Sequence, residues 1–347
     1  MVVTTSESSM FVLPLTVAIA AALGCSAILA MLLKTGLAWR LATDIPNERS
    51  LHERPTPRVG GWGVVPAVLI AVFALAPSLW LIAACTIFLA AVSQIDDRRG
   101  LSARVRFAAH FAAVGLLLAV YHASVAWWIL VALSVLLTWL VNLYNFMDGA
   151  DGLAGGMAAF GFSGYAIAAS AAHGPGSDLA LACAATAGAA AGFLAYNFHP
   201  ARIFLGDAGS IPLGFLAGAF GFWGWRSGLW PIWFPAMCFS PFIADASVTL
   251  CRRLIRGEKF WRAHREHYYQ RMVRSGLGHA RTALYSYILM CVGIMLAVFA
   301  LGHSAAVQWG AIIAWAVVLV AAGAAIDLRW RRFQAAGRAN GDVNVQI

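Results

Sequence analysis

The sequence contains little charge. Asp, Glu, Lys and Arg together make up 11% of its 347 residues, whereas 61% are hydrophobic and the mean hydropathy is +0.76. Such values exclude an ordinary soluble domain and are typical of a polytopic membrane protein. The sequence also shows no second soluble domain and no short-period repeat. We therefore interpret residues 1–347 as a single integral membrane domain.

Two further absences concern the amino terminus and the cysteines. No Lys or Arg occurs in the first nine residues, MVVTTSESS, whereas a cleaved signal peptide normally begins with positive charge. The first apolar segment is therefore expected to be a retained anchor. The six cysteines form no CxxC pair and lie in or beside apolar segments, which favours a packing role over a metal or redox role.

The apolar segments predict an all-α fold with about eleven transmembrane helices, since each approaches the roughly 20 residues that cross a bilayer. The predicted spans are residues 10–33, 62–76, 78–95, 105–122, 126–144, 157–173, 179–196, 211–225, 229–250, 283–301 and 306–326. The second and eighth are short for a span. The polar tail after Arg332 is expected to be disordered over residues 333–347.

The formal charge of +9 is distributed unevenly between the two sides of this arrangement. With the amino terminus outside and the carboxyl terminus in the cytoplasm, every Lys and Arg except Arg226 falls on the cytoplasmic side, as the positive-inside rule requires. This pattern indicates a multi-pass membrane protein, with the lipid bilayer and no nucleic acid as its partner. A homodimer is an open alternative for its assembly.

Four polar stretches between the spans share this cytoplasmic face. They read SLHERPTPRVGG (50–61), QIDDRRGLSARVR (94–106), NLYNFMDGADGLAGG (142–156) and NFHPARIFLGDAGS (197–210). Carboxylates close to membrane spans are expensive to bury and are usually functional. An aspartate pocket with arginines at its edge suits Mg²⁺ and phosphates, so we expect the four stretches to form one active site on this face.

The second and fourth stretches supply the candidate catalytic residues. Asp96 and Asp97 are adjacent carboxylates that together favour a bound cation, although a solvated loop with Asp97 paired to Arg98 or Arg99 stays an alternative. Asp207 lies in a Gly-Asp-x-Gly-Ser loop whose backbone N–H groups can face phosphate. We expect Asp207, with Asp96, to bind the metal.

The third stretch carries polar residues at a spacing of three: Asn142, Asn145, Asp148 and Asp151. If the fifth predicted helix continues through Asp151, all four share one face and can contact the substrate. The alternative is a helix cap followed by a glycine-rich turn.

Basic and histidine-containing loops complete the candidate substrate-binding set. His52, Arg54, Thr56 and Arg58 lie in a loop bounded by proline and glycine, and arginines pair well with diphosphate oxygens. The later loop RRLIRGEKFWRAHREHYYQRM contains His264 and His267, with arginines from Arg262 to Arg271, and is expected to contact nucleotide or phosphate. Asp245, within the ninth span, is expected to line the site or to pair with Arg252 or Arg253.

These four stretches, in this order between spans, resemble those of the polyprenyl-phosphate N-acetylhexosamine-1-phosphate transferase family over residues 35–275. The resemblance implies transfer of a sugar-1-phosphate from a UDP-N-acetyl sugar to undecaprenyl phosphate, with release of UMP and with Mg²⁺, or alternatively Mn²⁺, as cofactor. It places the family's Asp-Asp pair on Asp96 and Asp97 and its principal metal ligand on Asp207, with Asn197 nearby. Its Asn/Asp cluster falls on residues 142–151, and its histidine loop falls on His264 and His267.

The histidine loop departs from the family pattern, because Tyr268, Tyr269 and Gln270 follow His267 where many members have further histidines. This difference argues against the peptidoglycan translocase branch and favours members that use UDP-GlcNAc or deoxy sugars such as FucNAc and QuiNAc in O-antigen synthesis. A direct transfer and a phospho-aspartate intermediate both stay open. A transporter of a phosphorylated solute is the rival from another class, but such proteins usually show repeated halves and midplane sites.

Overall fold

The structure, a computed structural model, describes residues 9–46, 51–121, 125–259 and 264–339. Almost all of these residues are helical. The helices are α1 (Ser9–Lys34), α2 (Leu37–Leu41), α3 (Gly61–Leu75), α4 (Trp80–Arg99), α5 (Ala103–Val120), α6 (Trp127–Phe146), α7 (Leu153–His173), α8 (Asp178–Asn197), α9 (Asp207–Arg226), α10 (Trp233–Cys238), α11 (Ser240–Ile255), α12 (Tyr268–Met272), α13 (Gly278–Leu301) and α14 (Ala305–Ala339).

The predicted all-helical membrane fold is confirmed in its main feature. Eight helices in the described ranges are long and apolar enough to cross a membrane. The second predicted span corresponds to α3, which has only 15 residues. The ninth divides at Phe239 into α10 and α11, where Pro241 occupies the first turn of α11 and disfavours a continuous helix. The number eleven and the sides of the termini stay predictions.

Small residues allow the central helices to approach closely. Helix α8 packs on α1, and a Cβ atom at Gly188 or Gly192 would collide with the backbone of Ala18 or Ala22. Such close packing is the usual way in which transmembrane helices associate, because lipid offers no hydrophobic driving force between them. The helices α7 and α8 are accordingly the most buried of the candidate spans.

The last helix continues past the point at which the sequence predicts disorder. Helix α14 contains 35 residues and ends at Ala339. At 1.5 Å per residue it is about 52 Å long, so it extends beyond the roughly 30 Å of a bilayer's hydrocarbon core. Ala335, Ala336 and Arg338 are good helix formers, which explains the helix over residues 333–339. Residues 340–347 lie outside the described part.

Two polar loops are joined by backbone hydrogen bonds at one end of the helix bundle. The strands β1 (Thr43–Asp44) and β2 (Thr56–Pro57) pair antiparallel in the loop before α3. The N–H of Phe204 donates to the carbonyl of Pro57 at 2.8 Å, and the N–H of Gly60 donates to the carbonyl of Phe204 at 2.9 Å. This pairing brings Arg58 beside the start of α9.

Glycine is required where these loops meet α9. A Cβ atom at Gly60 would overlap the Cα atom of Leu205, and one at Gly61 would overlap the backbone of Ala208 and Gly209. The Gly-Gly pair of PTPRVGG therefore permits the close backbone contact that positions Arg58.

Candidate active site

The polar stretches meet around Arg58. Its guanidinium lies 3.8 Å from Asp44, measured from Nε to Oδ1, and 3.8 Å from Asp97, measured from Nη1 to Oδ1. Asp148 and Asp207 belong to the same group, since both interact electrostatically with Arg58 and Asp97 or its neighbours. We call Asp44, Asp97, Asp148 and Asp207 the carboxylate cluster. Its four carboxylates outnumber its one arginine.

Asp97 is a buried member of the cluster and forms an ion pair with Arg58. Its side chain is 3% exposed. Its Oδ2 atom has no hydrogen-bond partner within the described residues, and neither has Nε of Arg58. Buried polar atoms normally have partners, so an orphaned carboxylate oxygen beside other carboxylates indicates a position for a ligand.

Asp207 begins α9, where the helix dipole favours negative charge. The Asn145 side chain donates a hydrogen bond to it. Burial nevertheless raises the pKa of Asp207, and Arg58 only partly opposes this shift. Asp207 precedes the apolar part of its helix, as the sequence predicts.

Asp148 follows the end of α6 and faces the same cluster. Burial raises the pKa of Asp148 well above its ordinary value, the charge of Asp207 raises it further, and Arg58 lowers it. Raised pKa values in neighbouring carboxyls mean that the cluster resists full ionisation unless a cation compensates the charge.

Asp96 is close enough for its charge to raise the pKa of Asp207, but both of its oxygens already accept hydrogen bonds. Its Oδ1 accepts from the backbone N–H of Leu101 at 2.5 Å, and its Oδ2 accepts from Nη1 of Arg106 at 3.1 Å. Both oxygens are therefore used to hold the turn between α4 and α5. The structure separates the roles of the two adjacent aspartates, with Asp97 in the cluster and Asp96 in the turn.

The four polar residues spaced at three do not share one helix face, because α6 ends at Phe146. Asn142 donates to the carbonyl of Thr138 at 2.7 Å, within its own helix, while Asn145 faces Asp207. The chain then turns through Gly152, whose φ of 77° is suited to glycine. Asp151 consequently lies outside the cluster, which corrects the expectation of a continuous helix.

Asp151 instead forms a network with two histidines that the sequence did not single out. Its Oδ2 lies 2.7 Å from Nδ1 of His199, and its backbone N–H donates to Nδ1 of His279 at 3.1 Å. The Nε2 atom of His279 contacts the carbonyl of Leu51 at 3.1 Å. Asp151, His199 and His279 are close enough to share a metal ion, but hydrogen bonds already occupy both Nδ1 atoms.

Asn197 has a structural position next to this network. It is 3% exposed, accepts from the N–H of Gly152 at 2.9 Å and donates to the carbonyl of Ile203 at 2.9 Å. It therefore joins the Asp148 loop to the loop that leads to Asp207.

The first basic loop divides into buried and exposed residues. His52 lies 3.3 Å from Asp44 and packs edge-on against Phe204 with ring centroids 4.7 Å apart. Thr56 is buried, and its hydroxyl donates to the carbonyl of Arg54 at 3.1 Å. The side chain of Arg54 is exposed and contacts no carboxylate of the cluster within the described residues.

His267 is a buried residue that contacts Asp245. It is 4% exposed and lies 3.2 Å from Asp245. Asp245 also accepts from the backbone N–H groups of Tyr268 and Tyr269 at 2.8 and 2.9 Å. Asp245 thus holds the start of α12, and it pairs with neither Arg252 nor Arg253, in contrast to one of the sequence expectations.

The neighbouring His264 is neutral at pH 7. Burial lowers the pKa of His264 to about 4, and the charges of His267 and Arg253 lower it further. Arg271 turns towards Asp327 at 2.8 Å rather than towards the carboxylate cluster. Arg262 lies outside the described residues.

Sequence reasoning missed several residues that the fold brings to the site. Asp44 joins it through the β1–β2 pairing, and Tyr269 reaches it through a hydrogen bond from its hydroxyl to the carbonyl of Phe146 at 3.1 Å. His279 opens α13, far along the chain from its partners. Of these residues, Asp44 carries a signal in the sequence itself, as a carboxylate in the polar segment between the first and second predicted spans.

Comparisons with known proteins identify the family of the chain. The model of glycosyl transferase family 4 matches residues 79–224, which include Asp97, Asp148 and Asp207. A decaprenyl-phosphate N-acetylglucosaminephosphotransferase of Mycobacterium tuberculosis (strain H37Rv) is 31% identical, over 80% of this chain and 81% of its own length.

Two further relatives are also named as sugar-phosphate transferases. A probable undecaprenyl-phosphate N-acetylglucosaminyl 1-phosphate transferase of Bacillus subtilis (strain 168) is 29% identical over 77% of this chain and 79% of its own length. A phospho-N-acetylmuramoyl-pentapeptide-transferase of Microcystis aeruginosa is 31% identical over 60% of this chain and 65% of its own length.

Proposed function

The chain belongs to the polyprenyl-phosphate N-acetylhexosamine-1-phosphate transferase family, and we propose that it transfers N-acetylhexosamine-1-phosphate from a UDP-sugar to undecaprenyl phosphate, with release of UMP. UDP-GlcNAc, or a UDP-deoxy-sugar such as UDP-FucNAc or UDP-QuiNAc, is the proposed donor. The reaction would begin a lipid-linked cell-envelope polysaccharide, such as O-antigen, at the cytoplasmic face of the bacterial inner membrane.

The residues of the carboxylate cluster suit Mg²⁺, with Mn²⁺ as an alternative. Mg²⁺ prefers one or two carboxylates together with substrate phosphates and water. Asp207 and Asp97 are the proposed ligands, because Asp97 has an orphaned Oδ2 and both oxygens of Asp96 are already hydrogen-bonded. When bound, the ion would neutralise diphosphate charge and orient the phosphate that is transferred.

The basic residues of the first loop are proposed to bind the donor diphosphate. Arg58 lies within the cluster, so its guanidinium can contact a diphosphate oxygen there. Its Nε has no hydrogen-bond partner in the described structure and is available as a donor. His52 keeps Asp44 beside Arg58, and Arg54 offers a more exposed charge for the approach of the nucleotide.

In the proposed reaction, a phosphate oxygen of the acceptor attacks the β-phosphorus of the UDP-sugar. The bond between that phosphorus and the oxygen bridging to the α-phosphate breaks, and UMP leaves with the bridging oxygen. The acceptor needs no strong base, because a phosphomonoester with a second pKa of about 6 is already largely ionised at neutral pH. The enzyme therefore acts chiefly by positioning two anions and compensating their charge.

The acceptor's apolar tail is proposed to follow a cleft between α6, α9 and α11. Leu137 and Leu140 of α6, Phe222 of α9 and Phe242 of α11 line this cleft. It reaches Tyr144, near the end of α6, whose hydroxyl is electrostatically coupled to Asp148. The tail could thus stay in lipid while its phosphate reaches the cluster.

The observation that carries this proposal is the orphaned Asp97 oxygen beside Asp148 and Asp207 at the start of α9. The test is UMP release by the purified protein with undecaprenyl phosphate and Mg²⁺, across a panel of UDP-N-acetyl sugars. Release that needs lipid, metal and one of the proposed donors would support the proposal. Turnover only with UDP-MurNAc-pentapeptide would contradict the proposed donor class, and no turnover by folded protein would contradict the transferase assignment.

A further inference from the structure

A second apolar cavity lies on the other side of α11, between α11, α13 and α14. Its volume is about 650 Å³. Phe242 and Val248 of α11, Leu289 of α13 and Leu319 of α14 contribute apolar walls. This volume is within the usual range for a specific small-molecule site. The cavity adjoins the cleft proposed for the acceptor tail, since Phe242 lines both, but its other walls are formed by α13 and α14.

An arginine-rich chamber continues this cavity towards one end of α14. Its volume is about 620 Å³, and the two spaces share Arg252 and Asp327 as lining residues. Six arginines and two carboxylates line the chamber: Arg252, Arg256, Arg265, Arg271, Arg274 and Arg331, with Glu266 and Asp327. The chamber therefore carries a positive excess.

The two carboxylates do not cancel this excess. Asp327 lies between Arg252 at 2.9 Å and Arg271 at 2.8 Å, and Glu266 is paired with Arg256. Within the described residues, neither Arg265 nor Arg331 forms an ion pair with a carboxylate. Two cationic side chains are thus left to meet an anion in the chamber.

The order of residues along α14 matches the form of a membrane lipid. Residues from Leu319 to Ile326 line the apolar cavity, and Asp327, Trp330 and Arg331 line the chamber that follows. At about 1.5 Å per residue, the change from apolar lining at Ile326 to cationic lining at Arg331 occurs over roughly 7.5 Å of helix. A tryptophan at such a boundary is typical of the interface between acyl chains and headgroups.

We propose that the cavity and the chamber together bind one anionic membrane phospholipid, with its acyl chains between α11, α13 and α14 and its phosphate in the chamber. Basic pockets between transmembrane helices are a recognised way of binding anionic headgroups. The apolar continuation favours a lipid over a free nucleotide. The chamber arginines contact no member of the carboxylate cluster within the described residues, so the proposed phosphate position lies apart from the cluster. The apolar cavity extends towards the cluster at Met147 and Tyr269.

Lipid retention tests this site without relying on turnover. The full-length protein is reconstituted in phosphatidylcholine nanodiscs containing a small fraction of phosphatidylglycerol, and the lipids that stay bound are identified by native mass spectrometry. Wild type is expected to retain phosphatidylglycerol selectively. The Arg265→Glu, Arg331→Glu double variant should retain about thirty-fold less, because each of the two arginines near an anionic headgroup contributes about 1 kcal/mol.

Arg332→Glu is the matched control. It changes the charge of the adjacent residue on the same exposed part of α14, and Arg332 does not line the chamber. It should retain phosphatidylglycerol as wild type does. A second variant, Ala322→Phe, fills the apolar cavity and should also lower retention while leaving the arginines intact.

Two results would overturn the proposal. Equal retention by wild type and the double variant would show that the arginines bind no headgroup. Displacement of phosphatidylglycerol by equimolar undecaprenyl phosphate, with a higher acceptor KM in the double variant, would identify the site as part of the acceptor groove instead.

Discussion

Asp97 and Asp245 are both buried carboxylates near one end of the helix bundle, but their surroundings are opposite. Asp245 accepts hydrogen bonds from two backbone N–H groups and lies beside His267. Asp97 has one oxygen without a partner and several neighbouring carboxylates. A buried carboxylate whose hydrogen bonds are all made stabilises the fold. A buried carboxylate that lacks donors is instead suited to bind a ligand from outside the chain.

The contrast also separates two ways of using an aspartate at a helix start. Asp245 holds the first turn of α12 from outside that helix, and Asp207 is the first residue of α9. The first arrangement uses the carboxylate's hydrogen bonds for structure. In the second, the helix dipole offsets only part of the cost of burying the group, and the pKa of Asp207 stays raised.

The largest expected effect comes from Asp207→Asn. This variant keeps the shape of the side chain but removes the charge proposed to bind the metal, so kcat/KM should fall about 1,000-fold. Thermal unfolding in detergent should show a folded protein. Wild-type turnover in this variant would remove Asp207 from the proposed metal site.

Substitutions at Asp97 and at Asp245 test the difference between the two carboxylates, because one should affect activity and the other stability. Asp97→Asn should lower kcat about 100-fold with little loss of stability, because it removes an unbalanced charge. Asp245→Ala should instead destabilise the protein by about 3 kcal/mol, because it leaves buried N–H groups unpaired. Activity per folded molecule and unfolding midpoints of both variants provide the measurement, and the reverse pattern would contradict the assignment.

The raised pKa values of Asp148 and Asp207 predict a pH-dependent effect of Mg²⁺ on stability. Because folding raises these pKa values, the protonated carboxyls contribute stability that is complete at low pH and is lost as pH rises through the folded-state values. The cluster should therefore gain more from a divalent cation at about pH 8 than at about pH 6, because more of its carboxyls are ionised at the higher pH.

Unfolding midpoints with Mg²⁺ and with a chelator, at both pH values, measure this difference. Asp207→Asn should reduce the Mg²⁺ shift, whereas Asp245→Ala should keep it. An equal shift at both pH values would contradict the prediction, because Mg²⁺ binding would then not depend on the ionisation of the cluster.

The smallest expected effect is that of Arg54→Ala. Its side chain is exposed, so its contact with the donor should contribute no more than about 1 kcal/mol, and the donor KM should rise at most about five-fold. Steady-state kinetics with varied donor provide the test, with Arg332→Ala as a control for the loss of one positive charge. An unchanged donor KM would leave Arg54 with a role in topology alone.

The sequence predicts the parts of the site that depend on local motifs and span order. Asp97, Asp207 and Arg58 are expected at one place, and the structure brings them together. The family is confirmed, and its sugar donor stays a prediction. The prediction that one helix face continues through Asp151 is wrong, because α6 ends at Phe146 and the glycines at 149 and 152 favour this early end.

Long-range pairing explains what the sequence could not reveal. His279 meets Asp151 across 128 positions, and Asp44 depends on a two-residue strand pairing. Neither relation leaves a periodic pattern in the sequence. The contact of His267 could not be predicted from the sequence either, because only the fold shows that its ring is buried against Asp245.

The hydrogen bonds between the Arg58 loop and Phe204 have a consequence for biosynthesis. Arg58 leaves the ribosome roughly 150 residues before its bridge partner Phe204, which at about 5–20 residues per second means about 7 to 30 s of translation. During that interval the loop cannot adopt its final form, and the early spans must be held in the membrane without it. The carboxylate cluster around Arg58 is therefore completed late, only after the start of α9 has been synthesised.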